Sequence, residues 1–224
     1  MFISIGKVKD LNSIEPKNWN KTKVRSLFPV AVIDDEEFIL SDVLRKHNYL
    51  IEELGDVDNV KLLGEYSIIA CDIMDVASGL GSKHGGLHLI KEIRNMYPDK
   101  YLIAFSAKAE FDPTDKQFFD YCDTTIKKDA DSDDWIDMLD NAIVQIGNPV
   151  TRWLRTRSVL LEHGLRLYDI LKLEQTYIKA VRSHKPGLLE KDLLNNYSIE
   201  NKEILVDLLL SLSGFIAKLI ASGI

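Results

Sequence analysis

Short apolar runs recur along the central part of the chain, and each ends at polar residues. The clearest runs are Val30–Ile33, 67–71, 101–105 and Thr124–Lys127, and a weaker one lies at 49–54. Runs this short, bounded by polar residues, are typical of buried β-strands. The pattern therefore predicts four strands and favours a fifth.

Helical periodicity fills the intervals between the runs. Apolar positions at helical spacing predict four helices, the second of which stops before Pro98. The residues that mark them are Phe38, Val43 and Leu44; Leu87, Ile90 and Ile93; Phe118 and Phe119; and Trp135, Met138, Leu139, Ala142 and Ile146. Strands that alternate with amphipathic helices predict an α/β fold, in which a parallel sheet is covered on both faces.

Five polar residues stand where predicted strands end: Asp34, Asp35, Asp72, Ser106 and Lys128. The carboxyl ends of parallel strands share one edge of a sheet, where ligands bind. Three carboxylates at one edge repel each other unless a cation lies between them, and oxygen ligands of this kind suit Mg²⁺. A carboxylate nucleophile, a lysine and a hydroxyl group would together serve phosphoryl transfer.

Four segments carry a resemblance to a known family: VAVIDDE at 30–36, IIACDI at 68–73, AFSA at 104–107 and IKKD at 126–129. They resemble the receiver domains of two-component response regulators, over about 120 residues. The resemblance implies a flavodoxin-like, doubly wound sheet of five parallel strands. It also implies phosphorylation by a sensor histidine kinase or phosphotransfer protein, with Mg²⁺ as cofactor.

The resemblance assigns a role to each matching residue. Asp72 becomes the phosphoacceptor, Ser106 the switch hydroxyl and Lys128 the partner of the phosphate. Lys127 is a rival for the lysine role, but the strand register favours Lys128 because Ile126 then points into the core. The implied metal ligands are Asp34, Asp35, Asp72 and the backbone carbonyl of Met74. A protein of this kind is expected to be a signalling phosphoprotein rather than an enzyme, apart from slow self-dephosphorylation.

The sequence departs from the family pattern in three places, and the first concerns how a signal would leave the domain. Thr125 stands where the family has an aromatic switch residue, and Asp129 stands where it has proline. The segment 75–86 is about six residues longer than is usual and contains four glycines. A mobile loop beside the acceptor is expected there.

The segment 149–224 is predicted to be helical, with a break at 184–187. Its last helix is apolar except for a narrow polar stripe, with Ser198 as a candidate cap, so most of that helix needs cover. This cover is expected from a second copy of the chain, through Leu208, Leu212, Phe215 and Leu219. The segment carries 11 basic and 8 acidic residues and no basic recognition helix, so nucleic-acid binding is not expected.

The predicted organisation is an extension at 1–28, a receiver at 29–148 and a smaller all-α output or dimerisation domain at 149–224. The net charge is −7, with the acidity outside the C-terminal segment, and no uninterrupted apolar run of 18 residues is present. Cys71 and Cys122 lack metal-ligand spacing and indicate reduced thiols in a cytoplasmic protein. Two alternatives stay open: a DNA-binding transcriptional regulator, or a Mg²⁺-dependent phosphohydrolase on a related fold.

Overall fold

The structure is a computed structural model, and it describes residues 8–16, 20–57, 59–74, 76, 85–107, 120–192, 197, 202–221 and 223. Its chain divides into two compact units. The sheet unit comprises Asn20–Ile146, and the helical unit combines Met1–Trp19 with Gly147–Ile224. The predicted helix at Phe118 and Phe119 and the predicted cap at Ser198 lie outside the described residues.

Five parallel strands form the sheet, in the order β2-β1-β3-β4-β5. They are β1 Val30–Ile33, β2 Ile51–Glu53, β3 Ile68–Asp72, β4 Tyr101–Ser106 and β5 Thr124–Lys127. The helices of this unit are α1 Lys21–Val24, α2 Ser41–Lys46, α3 Gly85–Met96 and α4 Ser132–Gly147. This strand order is that of the flavodoxin-like doubly wound fold. The predicted fold class is therefore confirmed.

Each face of the sheet has its own apolar core, because successive strand residues point to opposite sides. On one face, Ile33, Ile69 and Leu102 belong to a buried cluster with Leu87 and Ile90 of α3. On the other face, three aromatic rings meet edge to face. Trp135 of α4 lies 4.8 Å from Phe38 and 5.6 Å from Phe105, measured between ring centroids. Helices therefore cover both faces, as the alternating pattern predicts.

Arg25 joins the start of the sheet unit to its last helix. Its guanidinium group donates two hydrogen bonds of 2.9 Å to the Asp140 carboxylate, and the Tyr49 hydroxyl donates a third of 2.6 Å. The hydrogen bond to Asp140 raises the pKa of Arg25, against the opposing effect of burial. This buried ion pair places residues 20–28 with the sheet rather than with the segment that precedes them.

The helical unit contains α5 Pro149–Glu162, α6 Leu167–Ser183, α7 Gly187–Asp192 and α8 Lys202–Ala221. Gly164 separates α5 from α6 with a φ of 78°, a backbone conformation that glycine adopts without strain. Trp153 of α5 stacks on Tyr177 of α6 at 5.2 Å and donates to Glu174. A helical region thus follows the sheet unit, as predicted.

Residues 8–16 pack with the helical unit rather than standing apart as an extension. The Lys9 N–H donates to the Gln175 side chain at 2.7 Å, and the amide of Gln175 donates back to the Lys9 carbonyl at 3.1 Å. Ile14, at the end of a 3₁₀ turn over Leu11–Ile14, is buried. The first part of the chain thereby contributes to the core of the last part.

The prediction that four apolar residues of α8 need a second copy of the chain to cover them is wrong. Leu208, Leu212, Phe215 and Leu219 are between 1% and 5% exposed within one chain. The other helices of the unit already cover them, so these residues need no partner. Among the described residues, α8 is also the one helix long and apolar enough to cross a membrane, and 44% of its most apolar window is buried within the chain.

Candidate functional site

The Lys128 ammonium group brings three carboxylates together at the carboxyl edge of the sheet. Its Nζ lies 3.0 Å from Asp34 Oδ1, 3.2 Å from Asp72 Oδ2 and 2.9 Å from Glu36 Oε2. Asp34 follows β1, Asp72 ends β3 and Lys128 follows β5. Because these strands are parallel, their ends meet, and a long side chain from β5 can reach across to β3 and β1.

The acceptor candidate, Asp72, is a buried carboxyl group. Its side chain is 5% exposed, and its Oδ1 accepts a hydrogen bond of 3.0 Å from the Met74 N–H. Burial raises the pKa of Asp72 above its ordinary value, and the nearby Asp34 carboxylate adds to that rise. The Met74 N–H and the Lys128 ammonium act in the opposite direction without cancelling it. The surroundings of Asp72 therefore favour the neutral carboxyl group over the carboxylate.

Lys128 is held in its charged form by the acids around it. Burial alone would lower the pKa of its ammonium group, but hydrogen bonds with Glu36, Asp34 and Asp72 raise the pKa above the ordinary lysine value. Lys127, the other candidate for the lysine that pairs with the phosphate, is the last residue of β5, and its side chain is exposed. Lys128 is the lysine that the structure places at the carboxylates.

Ser106 and Met74 lie at the same edge as Asp72. Ser106 ends β4 and is buried, and its carbonyl accepts a hydrogen bond of 2.9 Å from the Lys128 N–H. The Met74 carbonyl accepts from the Val76 N–H at 2.7 Å. A carbonyl oxygen has a second lone pair, so this bond leaves Met74 able to bind a cation as well.

Asp35 is the predicted site residue that the structure keeps apart from the others. Its side chain is exposed, whereas Asp34 beside it is buried. In the described part of the chain, no group of three or more histidine, cysteine or acidic side chains is arranged to hold a metal ion. The carboxylates of Asp34 and Asp72 surround Lys128, and Asp35 would have to turn inwards to join them.

The buried oxygens nevertheless fit a hard cation. Asp34 Oδ1 contacts Lys128 and accepts a hydrogen bond from the Glu36 N–H, but the buried Asp34 Oδ2 has no hydrogen-bond partner among the described residues. A buried carboxylate oxygen without a partner is costly unless something binds it. The donor atoms at this edge are all oxygens, which Mg²⁺ prefers.

Two residues at the site were not predicted from the sequence. Glu36 follows the acidic pair and makes the shortest contact with Lys128, and the run of four acids at 34–37 is the signal that could have indicated it. Gly86, the second residue of α3, lies directly against the end of β3. A Cβ at Gly86 would lie 1.9 Å from the Asp72 carbonyl oxygen, so only glycine allows this close approach.

Known proteins were compared with the chain by sequence and by structure. No protein-family model and no curated protein matches the sequence. A CheY-like response regulator receiver domain from Methanospirillum hungatei is similar in structure, with 16% identity, a TM-score of 0.45, and 53% of this chain and 95% of that chain covered. The response regulator TrrA from Thermotoga maritima, in complex with Mg²⁺ and BeF, gives 21% identity and a TM-score of 0.41 over 51% of this chain and 98% of that one.

A third similar structure is that of the histidine kinase ThkA in complex with TrrA. It gives 20% identity and a TM-score of 0.40, and it covers 52% of this chain and 98% of the matched chain. The likeness to these structures concerns the fold. By its own strand order and flanking helices, the sheet unit has the fold of a response regulator receiver domain.

Proposed function

We propose that this chain is a response regulator of a two-component phosphorelay, in which Asp72 accepts a phosphoryl group from a sensor histidine kinase or phosphotransfer protein. One observation carries the proposal: Lys128 contacts both the buried Asp72 carboxylate and Asp34 at the carboxyl edge of a flavodoxin-like sheet. An ion pair that only stabilised the fold would not require carboxylates at the ends of two strands to contact one lysine at the end of a third strand. The TrrA structure in complex with its kinase supports a partner of this class.

In the proposed reaction, an oxygen of the Asp72 carboxylate attacks the phosphorus atom of a phosphohistidine. The new bond joins Asp72 to phosphorus, the bond from the histidine nitrogen breaks, and the nitrogen keeps its electron pair. Lys128 then pairs with the phosphoryl oxygens in place of the carboxylate. Ser106, buried at the end of β4, lies at the edge where its hydroxyl can donate to the phosphoryl group.

A small phosphodonor tests the assignment of Asp72. With acetyl phosphate and Mg²⁺, we expect the intact mass to increase by one phosphoryl group in the wild type and to stay unchanged in Asp72→Asn. Lys128→Met should label weakly, because the charge on the transferring group loses its partner. Asp129→Asn, an exposed aspartate beside Lys128, is the matched control and should label like the wild type. Equal labelling of Asp72→Asn and the wild type would rule the assignment out.

The residues that would hold Mg²⁺ are Asp34, Asp35, Asp72 and the Met74 carbonyl. The ion would neutralise charge on the phosphoryl group. We expect Asp35→Asn to weaken Mg²⁺ binding more than Asp34→Asn, because the second aspartate of the pair is the direct metal ligand in the receiver domains that the sequence resembles. Titration calorimetry with MgCl₂ measures the Mg²⁺ affinity of both variants. A larger loss for Asp34→Asn would show that Asp34 is the principal ligand and that the proposed register of the acidic pair is wrong by one residue.

The helical unit is proposed to act through protein contacts, including self-association, in a cytoplasmic signalling protein that has no catalytic activity beyond slow loss of its own phosphate. Three large apolar side chains support a contact surface on this unit. Leu161, Leu167 and Leu210 are 43%, 74% and 47% exposed. A partner that covers these leucines would remove their apolar surface from water.

A further inference from the structure

The outward face of α8 is apolar between Val206 and Ala221, apart from charges along one edge. Val206, Leu210 and Ile220 are 37%, 47% and 36% exposed, and Ala217 is exposed as well. Gly214 lies in the middle of this face, and a Cβ built on it would meet no atom of the described chain within 4 Å. The described part of the chain therefore leaves this face open.

The charged edge of the face contains one acid and one base. Asp207 and Lys218 are both exposed and lie 11 positions apart, which is about three helical turns and about 16 Å. They therefore share one edge of the face, and they are too far apart to pair with each other. Leu210 and Gly214 lie nearer the centre of the face, between the two charges along the helix axis.

We propose that α8 pairs in antiparallel orientation with α8 of a second copy of this chain, so that each Asp207 lies beside the partner's Lys218. A two-fold axis that crosses the helices near residues 212 and 213 brings the same edge of both faces together. The inference deepens the proposed self-association by assigning it a surface and an orientation. It does not depend on the phosphorylation of Asp72.

Charge selects this orientation. In a parallel two-fold pair, the charged edges of the two faces lie on opposite sides of the interface, so neither Asp207 nor Lys218 meets an opposite charge of the partner. In the antiparallel pair the two charged edges meet, and each Asp207 gains the attraction of the partner's Lys218. Exposed ion pairs stabilise little by themselves, so the charges determine orientation and specificity, while the apolar face supplies the affinity.

The shapes of the two faces are also complementary in this register. Each Leu210 comes next to the partner's Gly214, where the missing side chain leaves room for it. Small residues let two helix backbones approach closely.

One helix face is smaller than the surface that a permanent dimer usually buries. We therefore expect reversible association that depends on protein concentration, rather than an obligate dimer. One reversed charge is enough to shift such an equilibrium towards the monomer. Charge reversal is therefore a sensitive test of the pairing.

Sedimentation equilibrium of the full chain at low salt tests the pairing. D207K and K218D should each weaken self-association by about tenfold or more, because each places like charges across the axis. The doubly reversed variant D207K/K218D should associate like the wild type. An equimolar mixture of D207K and K218D should form a mixed dimer, although neither variant pairs well alone. K191D, which makes the same change on an exposed lysine of α7, is the control and should not affect association.

Three results would overturn the proposal. The wild type could remain a monomer at the highest concentration that can be measured. The mixture of single variants could show no recovery. The chain could instead bind vesicles of anionic lipid through this face, with Leu210→Glu abolishing that binding. Circular dichroism shows whether each variant is folded, and labelling of Asp72 by acetyl phosphate, measured on the same samples, separates failure of this pairing from failure of the proposed phosphotransfer.

Discussion

Asp72 occupies a position that is unfavourable for an ionised carboxyl group. It is 4% exposed, close to the Asp34 carboxylate, and its pKa is raised by burial. A site that must present a nucleophilic carboxylate to a phosphodonor has to accept this cost. The hydrogen bond from Met74 and the charge of Lys128 reduce the cost without removing it.

The raised pKa of Asp72 predicts how stability depends on pH. An acid whose folded-state pKa exceeds its unfolded value contributes stability below the unfolded pKa, and that contribution is lost as the pH rises through the folded pKa. We therefore expect Asp72→Asn to melt about 2–4 °C above the wild type at pH 7. The difference should shrink as the pH falls below the Asp72 pKa. Thermal melts followed by circular dichroism at several pH values measure it.

Asp129→Asn is the control for this series and should melt like the wild type, because Asp129 is exposed. If Asp72→Asn melts below the wild type at pH 7, the attraction to Lys128 outweighs the burial of Asp72. The pKa of Asp72 would then be lowered in the folded protein and not raised.

At the level of single residues, the sequence located the edge of the sheet but not the side-chain contacts there. Asp34, Asp72 and Lys128 could be placed because each follows an apolar run, and the ends of such runs are visible in the sequence. The contact between Glu36 and Lys128 could not be placed, because the reach of a long side chain leaves no periodic signal. The exposure of Asp35 beside the buried Asp34 depends on the turn after β1, which a run of acids does not determine.

At the level of elements, strands were easier to predict than the packing of terminal segments. The runs at Val30–Ile33 and Thr124–Lys127 are strands with the expected bounds, and β3 is shifted by one residue from 67–71. The packing of residues 8–16 on α6 was not predicted. It depends on one buried side chain, Ile14, and on the Gln175 amide, and these residues are too few and too distant in sequence to form a pattern.

The packing of the first segment predicts that it stabilises the helical unit. Ile14→Ala should reduce the free energy of unfolding of that unit by about 2–4 kcal/mol, the usual cost of truncating a buried isoleucine. Gln175→Ala should cost about 1 kcal/mol, since two hydrogen bonds to Lys9 are lost from an exposed site. Hydrogen–deuterium exchange measures the effect in α6.

Val8→Ala is the control for these two variants, because Val8 is 54% exposed and should have little effect. If Ile14→Ala leaves exchange in α6 unchanged, the first segment does not contribute to the core of the helical unit. Faster exchange confined to the sheet unit would assign the segment to the other half of the protein.

At the level of the whole molecule, the chain passes between the two units twice, before Asn20 and near Gly147. Removing residues after Gly147 therefore also removes the surface on which residues 8–16 pack. The charge differs between the parts as well, with +3 over residues 149–224 and −10 over the remainder. The proposed phosphorylation of the sheet unit and the open apolar face of the helical unit together suit a protein that converts phosphorylation into a change of contacts.

The measurement that tests the central claim most directly is the chemical mapping of the phosphorylated residue. After reaction with acetyl phosphate and Mg²⁺, borohydride reduces an aspartyl phosphate to homoserine, and peptide mass spectrometry locates the converted residue. We expect conversion at Asp72 and at no other aspartate. Conversion at Asp34 or Asp35 instead, or no conversion in a folded wild-type sample, would contradict it.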